Sequence, residues 1–176
     1  MSKFEVLIHR DALIKRIKEL AEEINNDFSD EITLICVLKG GVMFFTELSK
    51  YLKMDVKFDF ICLSSYEDSQ ITSGIVKITK DLDFPINGKN VVVVEDIIDT
   101  GHSLERLKRH LEEQGPKTLK FCTLLDKFER RETNYTNPDY NGFRIEDKFV
   151  VGFGLDDKQL YRNLDYIGVV NGGENE

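Results

Sequence analysis

The chain has 176 residues, 41% of them hydrophobic, and a formal net charge of −8 at pH 7. That length suits one domain, residues 1–176, with a substantial core. The acidic balance argues against nucleic acid or an anionic membrane as the main partner, while leaving room for a local phosphate pocket built from backbone amides. The N-terminal Met-Ser-Lys-Phe-Glu-Val lacks an apolar signal region, and no apolar run reaches the ~18 residues of a membrane span. Cys36, Cys62 and Cys122 lie in apolar, strand-like runs without metal-ligand spacing, as expected of reduced, buried thiols in a cytoplasmic protein.

Leu13, Ile14, Ile17, Leu20, Ala21 and Ile24 share one face of a helix predicted over about 10–25, with Asp11 as its cap or first-turn acid. Ile32–Leu38 is a continuous apolar run, the pattern of a central parallel strand. Lys39-Gly40-Gly41 breaks it, and a helix follows from Val42 to about Leu52. By composition the glycine pair is a tight turn, although glycines also let backbone amides approach an anion. Val56–Leu63 reads as a strand. The polar tract from Ser64 to Gly74 is too long for a simple turn; by itself it reads as a surface loop, and such loops also serve as lids. Val76–Thr79 is the returning strand of a hairpin, and Pro85–Lys89 a turn.

The next stretch organises the rest. Val91–Val94 suits a strand buried on both faces, with the adjacent carboxylates Glu95 and Asp96 at its C-terminal end. After two isoleucines comes the polar turn Asp99-Thr100-Gly101-His102-Ser103, and then a helix carrying Leu104, Leu107 and Leu111. Ligands of open α/β sheets bind beyond the carboxyl ends of the strands. Amides at a helix start, with the Thr100 and Ser103 hydroxyls, make a phosphate cradle. Glu95 and Asp96 suit ribose hydroxyls or a hard cation such as Mg²⁺. Together these features describe a sugar-phosphate site.

Gly115-Pro116 stops the helix, and Thr118–Leu125 is another strand, ending at Asp126-Lys127-Phe128. Taken alone, Lys127 is a solvated lysine at a strand end. Residues 129–146 are polar and rich in turn formers. Phe149 and Val150 read as core by composition. Ile167–Val170 is a last short strand, followed by a frayed tail.

The string from Val91 to Ser103 closely resembles the phosphoribosyl pyrophosphate (PRPP) motif of type I phosphoribosyltransferases, in the form of the hypoxanthine-guanine branch. Leu38-Lys39-Gly40-Gly41, Ser65-Tyr66 and Lys148-Phe149-Val150-Val151-Gly152-Phe153-Gly154-Leu155-Asp156 match further motifs of that family in the same order. Phe153 replaces a tyrosine, and Glu67 stands where many bacterial relatives carry glycine. The resemblance implies an α/β fold with a central, mostly parallel sheet flanked by helices and a small hood formed by the terminal segments. It implies a Mg²⁺-dependent purine salvage enzyme that converts hypoxanthine and/or guanine plus PRPP to the nucleotide plus pyrophosphate. Asp99 is then the general base. Glu95, Asp96 and Asp99 to Ser103 (Thr100, Gly101 and His102 included) bind PRPP, with His102 contributing its backbone. Lys39, Gly40, Gly41 and Arg162 hold pyrophosphate, with a cis Lys39–Gly40 bond allowed and Lys39 serving the loop or a subunit interface. Ser65 and Tyr66 open the lid. Lys127, Phe149, Val150 and Asp156 contact the purine, and Glu95, Asp96 and Asp156 lie at the metal. A homo-oligomer, dimer or tetramer, is expected.

Three rival readings differ in kind. A nucleic-acid-binding regulator that kept the PRPP pocket should carry a basic face, which the charge disfavours. A dinucleotide enzyme should show Gly-x-Gly-x-x-Gly after its first strand, and none is present. Xanthine or adenine in place of hypoxanthine or guanine keeps the chemistry. An ammonium donor at Lys127 disfavours adenine and leaves the 6-oxopurines unseparated.

Overall fold

The two most apolar runs of the chain become the two central strands of a six-stranded sheet. The computed structural model describes residues 4–65, 76–133 and 137–170. In chain order the elements are β1 (Phe4–Ile8), α1 (Arg10–Asp27), β2 (Ile32–Leu38), α2 (Val42–Ser49), β3 (Val56–Ser65), β4 (Val76–Lys80), β5 (Asn90–Ile98), α3 (His102–Glu112), β6 (Thr118–Asp126), a 3₁₀ turn (Phe128–Arg130), β7 (Tyr140–Arg144), β8 (Val150–Val151) and β9 (Ile167–Val170). The large sheet runs β4-β3-β2-β5-β6-β7, and only β4 is antiparallel to its neighbour. A three-stranded antiparallel sheet, β1-β9-β8, joins the two ends of the chain into the expected hood.

The pleat explains the all-apolar strands. Alternate residues point to opposite faces, and both faces are covered. Ile32, Leu34, Cys36, Val92 and Val94 pack into a core shared with α1, α2 and the hood, whereas Ile35, Val37, Val91 and Val93 pack with α3 through Leu104, Leu107 and Leu111. In α1 the buried residues are Leu13, Ile17, Leu20, Ala21 and Ile24, each large one contributing about 1.5–3 kcal/mol of transfer free energy. Burial also pushes the Cys36 thiol up to about 12, which leaves it an inert small hydrophobe.

The order of strands fixes where a ligand can sit. From β2 the chain steps to β3 on one side, and the next long parallel strand, β5, lies on the other side of β2. Connections therefore diverge between the C-terminal ends of β2 and β5, which opens a crevice there.

Several boundaries differ from the sequence expectation. β5 does not stop at Val94: its ladder with β6 continues through Glu95–Thr123 to Ile98–Asp126, so the acid pair lies within the strand. α3 starts at His102, one turn residue after Gly101, whose φ of 93° is left-handed. The region 129–146, expected to be turns, contains β7. Its polar residues fit because Gly142 lies flush against β6, where a Cβ would come within 2.2 Å of the Leu124 carbonyl oxygen. Arg16 of α1 covers the strand by donating to the carbonyls of Asn141 (2.6 Å) and Gly142 (3.2 Å). β1 was likewise undrawn, because its residues alternate too weakly to be read without its partner β9.

Candidate active site

The crevice is a cleft of about 330 Å³ whose lining includes Lys39, Gly40, Glu95, Asp96, Asp99, Thr100, Gly101, Ser103, Asp156 and Arg162. Three segments build it: the turn after β2, the end of β5 with the start of α3, and the loop between β8 and β9.

At the first, the peptide bond between Leu38 and Lys39 is cis, one bond earlier than the Lys39–Gly40 position allowed by the family resemblance. Gly40 is pressed onto β5, since a Cβ there would lie 1.7 Å from Asp96 Oδ2. The Gly41 N–H donates to the Val37 carbonyl (3.1 Å), and Gly41 does not line the cleft, so its amide is turned into the fold. Lys39 Nζ donates to Gln159 Oε1 (3.2 Å), which ties this turn to the third segment.

In the second segment Glu95 and Asp96 are only partly exposed. Burial, and then the charge of Asp96 and its hydrogen bond, hold the Glu95 carboxyl well above the usual range. Burial also raises Asp96, against a hydrogen bond from Glu95 and one from the Ile97 N–H. Two adjacent carboxylates in a low-dielectric floor resist both being charged. A folded-state pKa raised above 4.5 means that the folded chain binds more protons than the unfolded chain above that pH, so stability falls as pH rises through the window. In metal-free protein, Glu95→Gln should therefore leave the unfolding midpoint nearly unchanged at about pH 4 and raise it at about pH 8. Thermal denaturation of both proteins across that range tests this, and equal midpoints at the higher pH would contradict it.

Beyond the acids, Thr100, Gly101 and Ser103 line the floor, whereas His102 turns away to pair with Glu132 (3.0 Å). Added bulk at Gly101 would meet Thr133 Oγ1 at 2.5 Å. The Asp99 carboxylate lies 3.1 Å from Arg130 Nε and 3.9 Å from Lys127 Nζ. Its carbonyl accepts from Arg131 (2.9 Å), which also forms a buried ion pair with Asp126 at the end of β6.

The third segment bends sharply. Phe153, Lys158, Gln159 and Tyr161 all have positive φ, at a cost of about 1–2 kcal/mol each for a non-glycine residue. Arg162 organises it by donating to the Gly154 carbonyl (2.8 Å) and Gln159 Oε1 (3.1 Å), and it pairs with Asp156 (2.7 Å). Asp156 is thus committed to arginine. Glu95, Asp96 and Asp156 line the same cleft, although among the described residues no three acidic, histidine or cysteine side chains gather into a metal-binding group.

Lys127, Phe149 and Val150, which the resemblance assigns to the purine, are not among the residues lining the cleft. Lys127 is buried at the end of β6 and donates to Asp147 Oδ1 (3.1 Å). Phe149 is 57% exposed, and its carbonyl accepts from Val170 (3.0 Å). Val150 is buried and pairs with Val169. Ser65 closes β3, while Tyr66 and Glu67, at the start of the expected lid, lie outside the described residues. Sequence reasoning missed Arg130, Arg131, Asp147 and Gln159. The adjacent arginines three and four residues after the strand-end Lys127 were the available signal, in a stretch that reads as polar turn.

Residues 7–158 match the phosphoribosyl transferase domain family. The chain is 45% identical over 169 residues to the hypoxanthine phosphoribosyltransferase of Buchnera aphidicola subsp. Schizaphis graminum, covering 94% of this chain and 95% of that protein. It is 41% identical over 173 residues to the hypoxanthine-guanine phosphoribosyltransferase of Mycobacterium tuberculosis, covering 94% and 85%. A crystal structure of a hypoxanthine-guanine phosphoribosyltransferase from Bacillus anthracis superposes with a TM-score of 0.90 at 49% identity, covering 94% of this chain and 98% of that one.

Proposed function

The chain belongs to the phosphoribosyltransferases, in the hypoxanthine-guanine branch, and from that premise we propose how its residues carry out purine salvage. The enzyme converts hypoxanthine and/or guanine plus PRPP to IMP or GMP plus pyrophosphate. The observation that carries the residue-level reading is the meeting, in one cleft, of the Gly40 turn, the Glu95–Asp96 pair, the Thr100–Ser103 cradle and an Asp99 carboxylate 3.9 Å from Lys127.

In this reading the cradle binds the 5′-phosphate through backbone amides and the Thr100 and Ser103 hydroxyls. Glu95 and Asp96 hold the ribose hydroxyls, directly or through Mg²⁺. The donor set fits that ion: Mg²⁺ commonly takes one or two carboxylates plus substrate oxygens and water, without a protein cage. Bound there, it would neutralise charge on the pyrophosphate oxygens. Lys39, Gly40 and Arg162 face the pyrophosphate, and a guanidinium fork suits such an anion.

The bond from the anomeric carbon to the pyrophosphate oxygen breaks, a bond from that carbon to the purine nitrogen forms, and the purine N7 proton passes to Asp99. The ribose becomes oxocarbenium-like on the way. Lys127 donates to the purine O6, Phe149 stacks on the base, the main chain at Val150 reads its edge, and Asp156 lies near both base and metal. By the resemblance, Ser65 and Tyr66 would open a lid that shields the site from water. We read residues 1–176 as one domain, working as a dimer or tetramer in the cytoplasm. Among the described residues no helix is long and apolar enough to cross a membrane.

The test is nucleotide formation from PRPP and Mg²⁺ with hypoxanthine, guanine, xanthine and adenine offered separately. Turnover of one or more 6-oxopurines, abolished by chelating the metal and restored by adding it back, is expected. Folded protein that binds PRPP but turns over no base would favour the regulator.

A further inference from the structure

Beside the cleft, four charged side chains close a ring of alternating sign. Asp99 meets Arg130 (3.1 Å), Arg130 meets Asp147 (3.3 Å), Asp147 meets Lys127 (3.1 Å), and Lys127 meets Asp99 across a wider 3.9 Å. Each member comes from a different stretch: the loop after β5, the 3₁₀ turn after β6, the approach to β8, and the end of β6. The last gap is the longest, and it separates the two groups between which a 6-oxopurine must place its O6 acceptor and N7 donor.

Left to themselves, a buried ammonium and a carboxylate paired this loosely would close into a direct hydrogen bond. Such a pair would turn a Lys127 N–H and an Asp99 oxygen onto each other, and an entering base would have to compete with it. Each instead has a second charged partner, although the Asp99 oxygen facing Arg130, Oδ1, accepts no hydrogen bond. Lys127, only 7% exposed, gives its hydrogen bond to Asp147, and Asp99 is drawn to Arg130. The Lys127 hydrogen bond is also the foremost influence holding the Asp147 carboxyl below its usual range.

We propose that Arg130 and Asp147 are positioning residues of the purine subsite, holding Asp99 and Lys127 apart so that the slot between them stays open to a 6-oxopurine. They act through their neighbours and need not touch the base. Asp147 is two residues before Phe149, so the same contact fixes the stacking segment relative to Lys127. The inference rests on the reading of Lys127 and Asp99 as base-contacting residues.

Steady-state kinetics with hypoxanthine and with guanine, on Arg130→Met, Asp147→Asn, the double variant and Lys127→Met, decides it. Each ring variant should raise KM for the base about tenfold and leave KM for PRPP within about twofold. The double variant should be no worse than the poorer single one, because both act on one gap. Arg130→Lys, which keeps the charge and loses the fork, should recover part of the loss. Unfolding midpoints should scarcely change, since Arg130 and Asp147 are about half exposed. An unchanged base KM in both single variants, or equal rises for base and PRPP, would overturn the proposal. Lys127→Met separates the two layers. If it raises base KM while the ring variants do not, the ring fails alone; if it too leaves base KM unchanged, the base-subsite reading has failed.

Discussion

Asp99→Asn should lower turnover by about 10²–10⁴-fold while leaving PRPP affinity nearly intact, the range expected when one well-placed proton acceptor is removed. The substitution is close to isosteric. Asp99 follows the last residue of β5, its carbonyl is held by Arg131 at 2.9 Å, and its side chain reaches toward Lys127 at 3.9 Å. An amide there keeps the backbone of the phosphate cradle, because the cradle depends on the chain path and not on this carboxylate. What it loses is the ability to take the N7 proton as the glycosidic bond forms. A titration of PRPP followed by single-turnover measurement separates the two effects. If PRPP affinity collapsed with turnover, Asp99 would be a phosphate-side residue and another base would have to be sought. A fall in turnover alone is the outcome that fits.

Why this residue could be found in the sequence, and others near it could not, follows from where the information lies. The central strands were legible because β2 and β5 are buried on both faces, so Val91–Val94 and all of β2 but Thr33 are apolar and the runs have no competing period. The cradle was legible because glycine and hydroxyl residues at a strand–helix junction have few other uses. β7 was not: it is an edge strand whose carbonyls are satisfied by Arg16, 125 and 126 residues away in sequence, and nothing local marks it. The acid pair was read at a strand end because charge usually ends a buried run, yet the ladder with β6 carries it two residues further, to Ile98. Most of what was missed in the site is pairwise. Arg130 and Asp147 look solvated one at a time, and only their distances to Asp99 and Lys127 give them meaning. Asp156 lines the cleft with the other carboxylates, and its pairing with Arg162 at 2.7 Å is visible only in the fold.

The Gly40 turn concentrates that kind of long-range constraint in a single missing side chain. Gly40→Ala should leave a folded protein and reduce turnover by about 10²-fold, a loss of the size that follows a misplacement of roughly 1 Å in a reacting constellation. The added methyl would sit 1.7 Å from Asp96 Oδ2, and it cannot retreat on the other side, because the Gly40 carbonyl is itself packed against Gly154. Something must move, either Asp96 off the cleft floor or the turn away from β5, at an overpacking cost of about 1–3 kcal/mol. Both movements separate the acid pair from the pyrophosphate turn. PRPP affinity should therefore fall together with turnover, the opposite of the split expected for Asp99→Asn. Gly154→Ala should be at least as damaging, since it combines a φ of 105° with a Cβ 2.0 Å from the Gly40 carbonyl oxygen. Gly88→Ala is the control: its φ of 68° carries a backbone penalty of about 1 kcal/mol, but its Cβ would meet nothing within 4 Å. Calorimetric PRPP titration and unfolding midpoints on the three variants distinguish a crowded site from a merely strained turn. Should Gly40→Ala bind PRPP as Gly88→Ala does, the contact between this turn and Asp96 would have no part in holding the substrate.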